Sequence, residues 1–342
     1  MTNKTPLVSI CIPVYNAMPF LEKCCVALFE QTYPFIEYVF VNDCSTDGSL
    51  FFLNTVVNEY PQRKPFVKVI SHQRNCGVSV ARNTALDNVS GAFLMWVDAD
   101  DTLDVSTVKK LVNLQERSGC DMLTFDSLYR FPNNDAEFCN ADASTRKDFI
   151  MCLFERKTDF SLWGRLLKTS IIKEQNIRFV EGRNAGEDLL FILKYAVYCR
   201  SFANLHENLY LYNKQNEGSL TNIFSVEKAK QLIENMEECK AVLLSNQLYE
   251  DCASFYNCRL VKMYSRMLLG TAKKNSDKEF FFYIQKKAND SSLKKEVYRV
   301  SFLYRVLFSI KSFCFAHCYV VLLSEAKQIL IKLRIIKNAY RM

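Results

Sequence analysis

The chain has 342 residues, 49% hydrophobic, 13% aromatic and 24% charged, which suits one large or two ordinary packed domains and excludes a disordered, collagenous or stapled mini-protein. Its nine glycines include no Gly-x-Gly and none followed by Lys, so neither the dinucleotide fingerprint nor the Walker phosphate loop can be built. The net charge of +7 is uneven: residues 291–342 hold ten Lys and Arg against Glu296 and Glu325, a net +8 that leaves −1 for residues 1–290 and argues against a nucleic-acid groove spread over the fold.

In chain order, the apolar runs Leu7–Val14, Tyr38–Val41, Val67–Ile70 and Phe93–Val97 predict buried strands. Between the first two, Phe20, Leu21, Cys24, Cys25, Leu28 and Phe29 recur at helical spacing. A short helix is predicted from Val78 to near Asn88, and another from Val105 to Arg117. Repeated β-α alternation implies an α/β fold with a parallel sheet, helices on both faces, and ligands at the carboxyl ends of strands. All seven prolines lie at or before Pro132, and Gly270 is the sole glycine from Ser219 onward, so the last third should be helical.

Other features narrow the setting. The N-terminal apolar stretch is interrupted by Pro13 and Asn16 and followed by no small-residue cleavage site, which predicts no signal peptide. The charge-free segment Ser312–Ser324 is thirteen residues long, too short to span a bilayer as a helix. Fourteen cysteines are scattered without any Cys-x-x-Cys, and three distant histidines complete no zinc pattern; the expected role of the thiols is as small buried hydrophobes in a reducing cytosol.

The four strands deliver four polar loops to one edge: Pro13-Val14-Tyr15-Asn16, Asn42 to Gly48, Asn75-Cys76-Gly77-Val78, and Asp98-Ala99-Asp100-Asp101. Each alone reads equally as a turn or helix cap. The last follows a fully apolar strand, where carboxylates are costly unless solvent, hydrogen bonds or a cation receives them. Asp98 and Asp100 offer hard oxygen ligands suited to Mg²⁺ or Mn²⁺ shared with phosphate oxygens, while Asp101 or Asp104 can simply cap the helix that follows. Tyr15 could give a ring face for a base and Asp43 an acceptor for a base N–H, although either could be an ordinary edge residue.

VSICIPVYN, VNDCSTDGS, NCGVSVARNTAL and FLMWVDADD, in this order and spacing, resemble the family 2 glycosyltransferases of the GT-A fold, and WGRLLKTSII and AGEDLLF are similar to that family's later elements. The resemblance covers roughly residues 6–220. It implies an inverting transferase with a GT-A, Rossmann-like mixed but mostly parallel sheet, followed by a helical C-terminal region, with a catalytic domain at 1–220 and helices over 221–342. It further implies a nucleotide-sugar donor, of the UDP type, and a saccharide acceptor, as in bacterial surface polysaccharide assembly.

Carried onto this sequence, the resemblance has Tyr15 stack on a uracil, Asp43 bond its N3, and Pro13 and Val14 shape the base pocket. Asn75, Gly77 and Ala99 add nucleotide contacts, Asp98 holds the ribose, and Asp100 binds the Mn²⁺ or Mg²⁺ that bridges the diphosphate. Asp188, beside Glu187, matches the catalytic base. On spacing alone Asp188 is equally an N-terminal helix acid, and its position there would keep it ionised with a low pKa. The resemblance leaves the role of Glu187 open, an acceptor contact or a carboxylate that serves as the control for Asp188 if it faces the nucleotide side or solvent. Trp163 is either part of an acceptor wall or a core residue. Departures from the usual pattern are Asn42 for Asp, Cys44 for Gly, and Gly164-Arg165 for Asn-Lys.

Two rival readings remain. The strand-DADDT sequence also resembles the nucleophile loop of haloacid-dehalogenase phosphatases, although three β-α units precede it. A non-catalytic membrane-surface adaptor would instead use the basic end. There, Leu303, Val306, Leu307, Ile310, Phe313 and Cys314 would fall on one face of a helix, which either lies on an anionic membrane or packs on the catalytic domain. The first alternative predicts a cytoplasmic enzyme peripheral to the inner face of the cell membrane, where a lipid-linked acceptor can be presented.

Overall fold

A computed structural model describes residues 5–132, 134–215, 224–275, 277–299 and 302–332. The first part of the chain alternates as its apolar runs require: β1 (Val8–Val14), α1 (Met18–Phe29), β2 (Ile36–Asn42), α2 (Ser49–Glu59), β3 (Val67–Ser71), α3 (Val78–Asn88) and β4 (Phe93–Trp96). Every residue of β2 and β4 is buried, and β1 is buried at all but Pro13, which is why these strands read as continuous hydrophobic runs rather than as alternation. After β4 come β5 (Thr102–Leu103), α4 (Thr107–Ser118), β6 (Met122–Arg130), β7 (Asp135–Phe138), α5 (Arg146–Glu155), β8 (Arg165–Lys168), α6 (Thr169–Glu174), α7 (Glu187–Ala196) and β9 (Phe202–Asn213).

These strands form one nine-stranded sheet in the order β3-β2-β1-β4-β8-β6-β9-β5, with β7 paired to β6. Pairing is parallel from β3 through β4 and again between β6 and β9, so β8, β5 and β7 alone run against the others. The mostly parallel α/β expectation therefore holds. The order reverses at β1, with β2 on one side and β4 on the other, and the carboxyl ends at such a switch point are where open α/β sheets take their ligands. Below it, Leu21, Cys24, Cys25, Leu28 and Phe29 of α1 are buried as their spacing predicts, and Phe29 meets Tyr38 edge-on at 5.2 Å.

The helices α8 (Val226–Ser245), α9 (Tyr249–Lys274), α10 (Lys278–Ala288), α11 (Lys294–Val297), α12 (Phe302–Ser309) and α13 (Phe313–Lys332) follow among the described residues. The chain groups into two compact units, Met1–Ile223 with Gln231–Cys252, and Phe224–Lys230 with Ala253–Met342. All fourteen cysteines are free, and seven of them are buried.

The amphipathic face expected near residues 303–314 is not one surface. The helix breaks between Ser309 and Phe313, which divides the face between α12 and α13. Leu307 and Ile310 are buried within the helical unit, where Gln285 Nε2 donates to both of their carbonyls and Phe281 packs on Phe313. The side chain of Leu303 lies outside the described residues, as do Arg334, Lys337 and Arg341. No helix of the described residues is long and apolar enough to cross a membrane.

Candidate active site

The loops after β1 and β2 are joined through Asn16. Its left-handed backbone (φ 49°) turns the side chain so that Oδ1 accepts from the Thr46 and Asp47 amides at 2.8 and 3.4 Å, while its own amide donates to Ser45 Oγ. Ser49 Oγ accepts from the Ala17 amide and Asp47 from the Met18 amide, so α1 and α2 start from one braced junction. Tyr15 projects from this junction with 49% of its surface exposed, available to stack on a planar ligand. Cys44 has φ 58°, a conformation that favours glycine and accounts for the Gly usual at this position in the resembled family.

Asp43 is 3% exposed and its carboxylate is held from three directions. His72 Nδ1 lies 2.7 Å from Oδ1, the Cys76 amide donates to Oδ1 at 2.9 Å, and the Gly77 amide donates to Oδ2 at 2.8 Å. Asn75 Oδ1 also accepts from the Gly77 amide. Gly77 has φ 89°, and a Cβ there would lie 2.5 Å from the Asn184 side chain, so no larger residue fits this helix start. The side chains of Val14 and Ala99 are buried in the core, and Val14 contributes its carbonyl as acceptor for the Asp43 amide.

The centre of the site is Arg82, which the sequence reading gave no role. It sits on α3, its side chain 6% exposed, with the guanidinium 5.4 Å from the Phe179 ring centroid. Nη1 donates to Glu187 Oε1 at 2.8 Å and to Asp188 Oδ1 at 2.6 Å, and Nη2 is 3.9 Å from Asp98 Oδ1. Burial alone would lower its pKa, but the three carboxylates, Asp188 foremost, raise it further above its usual range, so it is a fixed cation. Glu187 thus faces this guanidinium.

The three carboxylates reach Arg82 from two places in the chain. Asp98 lies in the loop two residues past the end of β4, its amide donating to Tyr210 Oη at 3.2 Å. Glu187 and Asp188 open α7, whose N-cap Gly186 has φ 76° and no capping side chain. The expectation of an Asp188 held at low pKa by the helix end is reversed: burial pushes its carboxyl up to about 7, with Arg82 opposing and Glu187 adding to the rise. Asp98 is also pushed up to about 7, by burial first, with Arg82 opposing and Asp100 and Asp188 adding to it. Asp98 and Asp100, two residues apart in one loop, offer hard carboxylate oxygens, so they fit Mn²⁺ or Mg²⁺.

Asp101 does not cap α4. Fully buried, it accepts from Tyr210 Oη at 2.6 Å and from the Asn213 amide at 2.7 Å, tying the acidic loop to the end of β9. Asp104 instead forms the turn before α4 by accepting from the Ser106 amide. Trp163 is 4% exposed and stacks on Tyr210 at 4.5 Å, a core residue backing the loop. Arg165 is buried and donates to the carbonyls of Asp159, Ser161 and Trp163, so backbone engages the guanidinium.

A carboxyl edge with an aromatic platform, a braced carboxylate and an acidic loop, in a mixed sheet of this order, defines the class: a GT-A-type protein. The crystal structure of TarS 1–349 from S. aureus in complex with UDP matches with a TM-score of 0.66 at 19% identity, over 92% of this chain and 88% of that one. A mannosyltransferase from Pyrobaculum calidifontis in complex with GDP-Man and Mn²⁺ matches with a TM-score of 0.52 at 17% identity, over 92% and 87%.

Residues 9–172 match the model of Glycosyl transferase family 2, and the chain belongs to that family. Among curated relatives, the uncharacterized glycosyltransferase EpsJ of Bacillus subtilis is 28% identical over 226 residues, 64% of each chain. The poly(ribitol-phosphate) beta-N-acetylglucosaminyltransferase TarS of Staphylococcus aureus is 26% identical over 214 residues, 61% of this chain and 36% of that protein. The chain thus spans less than two thirds of the length of these curated relatives. Family membership removes the haloacid-dehalogenase reading of the DADDT loop.

Proposed function

We propose that this protein transfers a sugar from a nucleotide-sugar donor, of the UDP type, to a saccharide acceptor with inversion at the anomeric carbon. The observation that carries the reading is the convergence of Asp98, Glu187 and Asp188 on the buried Arg82. In this reading Tyr15 stacks on the base, Asp43 accepts its N–H through the remaining lone pair of Oδ2, and Asp98 holds the ribose. Asp98 and Asp100 would hold Mn²⁺ or Mg²⁺, which when bound neutralises charge on the diphosphate.

Asp188 takes the proton of an acceptor hydroxyl as that oxygen bonds to the anomeric carbon and the bond to the diphosphate oxygen breaks, releasing the nucleoside diphosphate. A base raised to about 7 suits this task better than an ordinary Asp, because proton affinity is available at neutral pH. Arg82 holds that carboxylate and Asp98 in place. The catalytic part is residues 1–220 and the helical part 221–342.

The fit to a UDP complex supports the donor class, and the polymer-modifying relative TarS supports an acceptor in surface polysaccharide assembly. Peripheral attachment to the inner face of the cell membrane, through the basic C-terminal end, is favoured by Phe315 and Leu322, each 65% exposed on α13. A thermal-shift screen of nucleotide sugars with and without Mn²⁺, followed by turnover assays, tests the reading. One UDP-sugar should stabilise the protein in a Mn²⁺-dependent way and be turned over with acceptor. Absence of stabilisation by any nucleotide sugar would return the adaptor alternative.

A further inference from the structure

The support of Asp43 has a chemistry of its own. His72 Nδ1, Cys76 Sγ and an Asp43 carboxylate oxygen all lie within 4.8 Å of one another. Ligands 2.0–2.3 Å from a tetrahedral Zn²⁺ are roughly 3.3–3.8 Å apart, so the His72–Asp43 pair, now 2.7 Å apart, must open and the Cys76 side chain turn toward it for all three to reach one ion. The donors are one imidazole, one thiolate and one carboxylate, a borderline-soft set that suits Zn²⁺ and its neighbours rather than the hard cations that suit Asp100.

The outer contacts that such an ion needs are in place. His72 Nε2 is 3.0 Å from Thr84 Oγ1, which orients the ring with Nδ1 toward Asp43. The Cys76 and Gly77 amides fix both oxygens of Asp43. When Nε2 carries the proton and donates to Thr84, the Nδ1 lone pair faces a carboxylate lone pair at 2.7 Å, a juxtaposition that calls for a cation. Cys76 and His72 are partly exposed, so an ion can enter from solvent.

We propose that Asp43, His72 and Cys76 form a second cation site, for an ion of the Zn²⁺ class, and that this ion and the nucleotide base exclude one another. The exclusion rests on the reading of Asp43 as the base acceptor; the ion site does not. Binding displaces the Cys76 thiol proton to solvent, while a His72 ring that carries its proton on Nδ1 passes to the Nε2–H tautomer with no net release. The fourth position is left to water. Zinc then lowers donor affinity without touching the catalytic carboxylate.

The test uses the full chain with Co²⁺ as a spectroscopic stand-in, then Zn²⁺ and UDP by calorimetry. Cobalt should give a thiolate-to-metal charge-transfer band that Zn²⁺ removes. Cys76→Ala should abolish the band, His72→Ala should weaken Co²⁺ binding tenfold or more, and Cys44→Ala should leave it unchanged. Saturating Zn²⁺ should raise the apparent Kd for UDP at least tenfold in the parent and leave it unchanged in Cys76→Ala. A missing band, or one that survives Cys76→Ala, overturns the ion site. A normal band with UDP affinity indifferent to Zn²⁺ overturns the exclusion. Failure of UDP to bind in zinc-free buffer would count against the donor reading instead, and the cobalt band would still decide the site.

Discussion

Replacing Arg82 by Met keeps most of the side-chain volume and removes the cation shared by three carboxylates. Two of these accept direct hydrogen bonds at 2.6 and 2.8 Å, and Arg82 is almost fully enclosed. Removing one partner of a buried ion pair costs about 3–5 kcal/mol, because the remaining charge is left uncompensated. Partial exposure of Asp98 and Asp188 shields them somewhat, so the low end, about 3 kcal/mol, is expected at pH 8, a fall in Tm on the order of 10 °C.

The loss should depend on pH. Asp188 has its folded pKa raised to about 7, above its unfolded value near 4, so it lowers stability progressively as pH rises through that window. Without Arg82, which opposes the rise, the folded pKa climbs further and the penalty at high pH deepens. At pH 5 the carboxyl is largely protonated in both proteins, and the difference between them should shrink. Thermal unfolding of parent and Arg82→Met at pH 5 and pH 8 measures this. An equal loss at both pH values would mean that the lost packing on Phe179, not charge, accounts for it, and no loss at pH 8 would refute the shared-cation reading.

Asp188→Asn should lower kcat by on the order of a hundredfold or more while leaving UDP affinity within about twofold, and parent kcat/KM should fall about tenfold per pH unit below an inflection near 7, as the base becomes protonated. Gly186→Ala, with φ 76° and Leu232 Cδ2 2.7 Å from the added Cβ, should cost about 1–3 kcal/mol in denaturant titrations and reduce kcat by displacing Asp188. Cys44→Gly should relieve the left-handed backbone and raise stability by up to about 1 kcal/mol; a loss of that size would show that the Cys44 contact to the Gln73 carbonyl matters more than the strain. Asp100→Asn should weaken Mn²⁺-dependent UDP binding more than Asp98→Asn does, read by calorimetry at fixed Mn²⁺.

The first four strands were legible because a parallel sheet covered on both faces demands unbroken apolar runs, and these end at the loops that matter. The strands after β4 were not. β8 is four residues long, and β9 carries Asn204, His206, Glu207 and Asn208 through a stretch where its register with β6 slips, so neither shows a clean period. Arg82 was hidden for another reason. Its partners Glu187 and Asp188 lie 105 and 106 positions away, a distance no local pattern spans. Asp188 was placed on the right helix end with the wrong electrostatics, because the cost of burial exceeds the benefit of the helix terminus there.

The bracing at Asn16 bears on how this scaffold can be re-engineered. Its single side-chain oxygen answers two amides of the following loop, and Ser49 and Asp47 answer two amides of the preceding one. Residues 13–18 and 42–49 therefore behave as one cassette. Swapping either loop alone from a homologue with a different base preference breaks these reciprocal bonds, whereas exchanging both together carries the junction intact. Chimeras that alter nucleotide preference should survive as paired grafts and misfold locally as single ones.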